Sequence, residues 1–515
     1  MSEYVFTPDP EACFSAARAG LEQMICAARE HGAVGDWTAD AAESAVAGDV
    51  RAVALAVLQG FCDTRATVEA QARAAGDLAE PVDAAGVRHT RCETGHLRHL
   101  VCTLGRLRVS RAALRAPNTE NLYPADRQLN LPPGLHSWPV AKLAALESAR
   151  GSFHDAASAL TRTCGTPVAA PAQIRAMAIA ATADFGTFYD HTAPMMSTNK
   201  TLLVLTVDGK GITMRPSDLR EDTRKKAERA QRQGRLADGE RPHRKRMACV
   251  GAVYDAEPVP RRPHDVITLA KAGKKRKKNR TKKKDKKKRQ GPKAVRKWLT
   301  ASIADDAADV IAAVFDQAEA RDPNHRRTWV VLVDGAIPQI EAIRAEAAKR
   351  GIDIHIVIDF IHVLQYLHAA ARILHGDTDK AHTAVAEHAL TVLSGRAADV
   401  ADELAAAAEH PRHGPEDRKK IGETVTYLRN KNDYLRYDTA LAAGWPIASG
   451  VIEGACRHLI ADRLDITGAR WSLEGAEAVL KLRALLANGD FEAYWRFHLR
   501  QEHQRNHQAR YQLAA

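Results

Sequence analysis

The run LLVLTV, Leu202–Val207, is apolar apart from Thr206 and halts at Asp208-Gly209. The pattern returns in WVVLVDGA, which halts at Asp334-Gly335. Short apolar runs bounded by a turn-forming pair predict buried β-strands. An acid at the end of such a strand costs free energy unless something pairs with it. Two strands with the same ending predict a shared ligand. Further strands are expected at 248–254, 265–270 and 352–358, with amphipathic helices over 303–322 and at IEAIRAEAAKRG, which stops at Gly351. Strands alternating with helices predict an α/β fold whose strands join one mixed sheet, with Asp208 and Asp334 at adjacent strand ends. After Asp359 the pattern turns helical for nearly ninety residues. AGWPIASG breaks it at 443–450, and helices follow at 451–465, with Glu453 near the start, and at 473–488.

Three carboxylates brought together repel, by about 4 kcal/mol per pair at roughly 4 Å and an effective dielectric near 20. A divalent cation removes that penalty, and oxygen ligands without Cys or His point to Mg²⁺ or Mn²⁺. Two such ions activate a nucleophile and steady the leaving oxygen in phosphoryl transfer. Taken singly, each Asp-Gly reads as a turn and Glu453 as a residue favouring a helix N-terminus. The joint order, strand-Asp, strand-Asp, helix-Glu, carries the reading. In DFIH, Asp359 and His362 share a helix face and read either as a polar clamp or as a ligand pair. Spacing alone leaves them outside the metal site, and Tyr366 and His368 read as packing residues.

Net charge is +12, and KKRKKNRTKKKDKKKR at 274–289 holds 13 Lys/Arg and one Asp, 13 − 1 = +12, so the rest of the chain is formally neutral. Such a block repels itself and predicts an exposed loop, either simply solvated or a phosphate-binding arm. Its candidate contacts are Lys274, Lys275, Arg276, Lys282, Lys283, Lys284, Lys286, Lys287, Lys288 and Arg289. Outside it, Lys210, Arg457 and His458 stand close enough in sequence to the acids to touch phosphates, or else form surface charge. The eight cysteines show no Cys-x2-4-Cys spacing, which argues against a zinc ribbon and against a disulfide framework. No signal-peptide pattern and no membrane-length apolar run are read in the sequence, which predicts a cytoplasmic, nucleoid-associated protein without a membrane partner. Residues 1 to about 85 read as helical, and 86–116 as a β-hairpin around Gly105. Residues 152–185 read as two helices about a turn at Gly165-Thr-Pro167, the spacing of a helix-turn-helix or of a plain helical hairpin. In a helix-turn-helix, Gln173 and Arg175 would face DNA. Trp471 reads as a packing anchor, or as a platform for a flipped base.

VDGKG, WVVLVDGA, DFIHVLQYL and above all GWPIASGVIEGACRHLIADRLDITGARWSLEGAEAVLKLRAL resemble the bacterial insertion-sequence DDE transposases of the ISKra type, over roughly residues 140–500. The resemblance implies an RNase H-like mixed-sheet core with Asp208, Asp334 and Glu453 as its catalytic, metal-holding triad. It implies that DFIH matches the Cys/Asp-x-x-His signature of Mutator-like transposases. The expected organisation is a helical N-terminal region with a hairpin (1–150), a helix-turn-helix-like DNA-binding segment (151–195) and the first part of the core (196–358) with its basic loop at 273–290. An all-α insertion (359–447), closing helices with the catalytic Glu (448–490) and a tail (491–515) follow. Relatives carry a Cys-x-x-Cys pair after the hairpin, whereas ALRAPNTENLYPAD has no cysteine there. The implied activity is metal-dependent cleavage at terminal inverted repeats and strand transfer into target DNA, by a homo-oligomer on DNA. The alternatives are a nuclease that cuts without joining and an inactive, transposase-derived DNA-binding protein; the intact triad argues against the second.

Overall fold

The structure, a computed structural model, describes residues 10–194, 197–232, 244–268 and 290–512. The basic block, with every lysine and arginine singled out in it, lies outside the described residues. The chain divides into two compact units, one of residues 1–191 with 489–515 and one of residues 192–488.

In the first unit α1 (Ser15–Val34) packs on α2 (Ala39–Ala74), whose N-terminus is capped by the Thr38 hydroxyl. By length and composition alone α2 is apolar enough to cross a membrane, with valines and leucines carrying the signal and 11% of the relevant window buried. The expected hairpin is β1 (Arg91–Cys102) against β2 (Gly105–Arg115), and α2 packs on β2. Gly105 is required at the bend: its φ is 148°, and a Cβ there would lie 2.8 Å from Leu55. Helices α3 (Trp138–Arg150), α4 (Phe153–Cys164) and α5 (Pro171–Ala180) close around Val140, Ala144, Leu160 and Ile174. A reciprocal Ser152–Asp155 cap starts α4, Gly165 in the left-handed region ends it, and Pro171 opens α5, so the two-helix reading of this stretch holds as architecture. α6 (Phe185–His191) packs against the C-terminal helix Phe491–Asn506. That helix was expected as a tail because its surface is polar. It is anchored instead by Tyr494, whose hydroxyl donates to the Ala181 carbonyl at 2.7 Å, and by His498 against Asp184 at 2.6 Å.

The second unit is built on β3 (Leu202–Thr213), α7 (Glu221–Arg232), β4 (Lys245–Ala256), β5 (Ala294–Ser302), α8 (Ala307–Arg321), β6 (Trp329–Val333), α9 (Ile337–Arg350) and β7 (His355–Ile358). The five strands form one mixed sheet in the order β5-β4-β3-β6-β7, with β4 antiparallel to both β3 and β5, and β6 and β7 parallel to β3. Leu203, Val204 and Leu205 are all buried, odd and even residues alike, so both faces of β3 are covered. On one face α8 presses so closely on β4 that a Cβ at Gly251 would stand 2.4 Å from Val314.

Two strand expectations are corrected. β3 does not end at Val207 but continues through Asp208 and Gly209 to Thr213, because β4 pairs with it along its whole length. Backbone pairing sustains the strand where the apolar pattern stops. The strand expected at 265–270 is instead a helical turn at Pro263–Val266, capped by Asp265, with 269–270 outside the described residues. β5 and β7 are the edge strands, and in β5 the pair Arg296-Lys297 hides the apolar pattern of its buried end.

Beyond β7 the chain is helical through α10 (Phe360–His375), α11 (Asp379–Leu393), α12 (Ala397–Ala408), α13 (Pro415–Asn430) and α14 (Tyr437–Ala442). It then returns to the sheet as α15 (Gly450–Ala455), which packs on β3 and β4, and α16 (Leu473–Asn488), which packs on β5.

Candidate active site

Parallel pairing of β3 and β6 brings the first two acids to one end of adjacent strands. Thr206 is level with Leu332, an offset of 126, so the register carried two residues further brings Asp208 level with Asp334, 208 + 126 = 334. Neighbouring strands stand about 4.8 Å apart, and level residues point to the same face. Both side chains are half-buried. Asp208 Oδ1 accepts the Gly209 N–H at 2.6 Å, and Asp334 Oδ1 accepts the Ala336 N–H at 2.9 Å. The two glycines play different parts. Gly335 has φ 100°, turns the chain out of β6, and leaves room for the Tyr427 hydroxyl 3.3 Å from where a Cβ would sit. Gly209 is ordinary strand, and its lack of a side chain leaves space beside Met247.

The Glu453 helix reaches this edge through a thiol. Cys456, buried and three residues after Glu453, lies with its Sγ 3.4 Å from Asp208 Oδ2 and donates to it. Burial first, and then the Asp208 charge, push this thiol well above its ordinary range. The same two causes push Cys249, level with Gly209 on β4, up to about 12. From Cys456 to Ala461 the helix widens into a π-helical turn, and Arg483 of α16 donates to the carbonyls of His458 and Leu459 at 2.9 and 3.0 Å. Glu453 is exposed, and its carboxylate makes no hydrogen bond or ion pair among the described residues. The ligand oxygens of Asp208, Asp334 and Glu453 do not all lie within 4.8 Å of one another.

Of the phosphate candidates, Lys210 shares the face of Asp208 and is near enough to act on the Cys456 thiol. Arg457 and His458 are exposed and turn to Asp462, at 3.8 and 3.1 Å. Asp359 is a clamp. It is fully buried, its Oδ1 accepts the Ile361 N–H at 2.7 Å at the start of α10, and its Oδ2 accepts the Ser449 N–H at 2.9 Å and the Ser449 hydroxyl. It thus fixes the residue just before α15. His362 stands one turn on, its Nδ1 buried without a hydrogen-bond partner. Gln173 is exposed, but its side chain caps the Ala170 N–H; Arg175 is half-buried on the same helix. Trp471 is buried, donates to the Leu464 carbonyl at 3.0 Å and lies under Arg463, so it is the packing anchor and not an open platform. Tyr366 is only in part a packing residue: it stacks on Tyr427 at 4.0 Å and keeps an exposed edge. His368 stands beside His382, and burial lowers its pKa.

Two neighbours of Asp334 were not visible in the sequence. The Tyr427 hydroxyl points at the Asp334 carbonyl, 3.5 Å away, and burial raises its pKa, with Tyr366 and Asp334 adding to the effect. Lys431 is buried, which lowers its pKa, while Asp334 opposes that. Neither carries a local signal, because both reach the site only through the path of α13.

A second donor set lies in the first unit. Asp184, His498 and Glu502 each offer a ligand atom, all within 4.8 Å, and can hold a metal ion by geometry. Arg505 already bridges Asp184 at 3.0 Å and Glu502 at 2.6 Å, so a cation there must displace a guanidinium.

No family model matches the chain, and no curated protein matches it.

Proposed function

We propose that the chain is a DDE-type DNA transposase, cutting at the ends of its own element and joining them to target DNA. One observation carries the reading: the register that sets Asp208 level with Asp334, with the Glu453 helix fastened to Asp208 through Cys456. The five-stranded mixed sheet supports an RNase H-like core, and the helices between β7 and α15 support an all-α insertion over 359–447.

The donor set fits Mg²⁺ or Mn²⁺: carboxylate oxygens only, two of them half-buried at one sheet edge. Bound there, the ions supply activation of water or of a 3′-hydroxyl at the scissile phosphate. Asp208 and Asp334 hold them, Glu453 closes the set, and Asp359 keeps the Glu453 helix in place through Ser449. DNA as partner, for which the basic block is the arm, a homo-oligomer on the two ends, and a cytoplasmic, nucleoid-associated location complete the proposal.

The test uses purified protein, Mg²⁺ and labelled DNA from the edges of the encoding element, with Asp334→Asn alongside. Cut and joined strands in wild type alone support the transposase. Cutting without joining turns the assignment to a nuclease. Tight binding with empty product lanes for both proteins turns it to a DNA-binding descendant.

A further inference from the structure

Lys431 follows the last turn of α13 and is 7% exposed. Its ammonium makes no hydrogen bond and no ion pair among the described residues. The stem is covered while the ammonium itself keeps contact with solvent, so the side chain presents an unpaired cation at its tip, where an anion from outside can reach it. Its position follows from the helix. The Lys431 N–H donates to the Tyr427 carbonyl at 3.1 Å, which sets the two residues on one face of successive turns. Tyr427 in turn reaches the Asp334-Gly335 turn, with its hydroxyl 3.5 Å from the Asp334 carbonyl. Asp334 is also the charge that acts on the Lys431 ammonium. With Asp334 committed to a metal, a phosphate at the same edge would give the lysine its counterion.

We propose that Lys431 is a phosphate contact of the active site, delivered by the helical region to a non-bridging oxygen of the DNA strand held at Asp334. The proposal rests on the transposase reading only for the identity of the anion. Lysine suits the role as a compact point charge that needs no fixed fork geometry.

The experiment measures affinity of the full-length protein for a labelled duplex from the element's end, over a range of salt. Ca²⁺ replaces Mg²⁺ so that binding is read without cleavage. Each phosphate contact contributes close to one released counterion to the salt slope. Lys431→Met is expected to weaken binding about tenfold and to lower the slope by about one. Lys431→Arg is expected to keep the slope, and Lys431→Gln gives the same reading should the Met variant fail to fold. A slope unchanged in Lys431→Met or Lys431→Gln overturns the proposal, even where the wild type cuts and joins. A lowered slope in a protein that makes no product with Mg²⁺ leaves the contact standing and removes the catalytic reading.

Discussion

Gly335 and Asp208 show how differently one dipeptide is used. Asp-Gly at 334–335 is a true turn, held open by a backbone angle that side chains resist and by a tyrosine hydroxyl that fills the space. Asp-Gly at 208–209 lies within a strand. Gly335→Ala is therefore expected to cost about 1–3 kcal/mol, read from urea unfolding, and to lower product formation by displacing Tyr427 or the turn. Gly209→Ala, whose Cβ meets only the flexible end of Met247 at 3.2 Å, is expected to cost less than half as much in the same assay. Where Asp208 and Asp334 fall in the sheet was legible because each stands at the boundary of a pattern, where a buried run meets a charge. Lys431 and Tyr427 were not, since nothing in RNKNDY says which way the helix before it will run.

At the scale of elements, the helix that carries Glu453 is held from three sides, by Asp359 through Ser449, by Cys456 on Asp208 and by Arg483 on the carbonyls of the π-helical turn. Asp359→Asn keeps the size of the clamp, but its amide must face N–H groups on both sides, from Ile361 and Ser449. It is expected to cost about 2 kcal/mol of stability, read by urea unfolding, and at least tenfold in product formation. Equal cleavage by Asp359→Asn and wild type would show that the clamp does not position Glu453. Strand order was only half visible. The apolar runs of β3, β4, β6 and β7 announce themselves. β5 does not, because Arg296 and Lys297 interrupt its apolar pattern near the start of the strand. Where β3 stops could not be read either, for its last residues are held by a partner strand and not by their own side chains.

Across the whole molecule, the first unit closes on residues 314 apart in sequence, where His498 meets Asp184. Burial pushes the Asp184 carboxyl up, but hydrogen bonds from Arg505 and His498 outweigh it and hold it below 3.8, its ordinary value. A carboxyl depressed in the folded state contributes stability above its unfolded pKa and loses it as pH falls through the folded value. With Arg505, His498 and Glu502 all facing it, Asp184→Asn is expected to lower the urea midpoint at pH 6, and the gap from wild type to narrow as pH falls below 3.8 through the folded-state value. The same lock has a consequence for how the protein is made. Residues 10–191 leave the ribosome long before the helix that completes them, and they wait through the synthesis of the entire sheet unit. The sheet unit, contiguous from 192 to 488, can finish first, and by folding it draws together the ends of a long loop that would otherwise resist closure. A chain cut short before Phe491 would therefore carry a finished acid edge and an unfinished first unit.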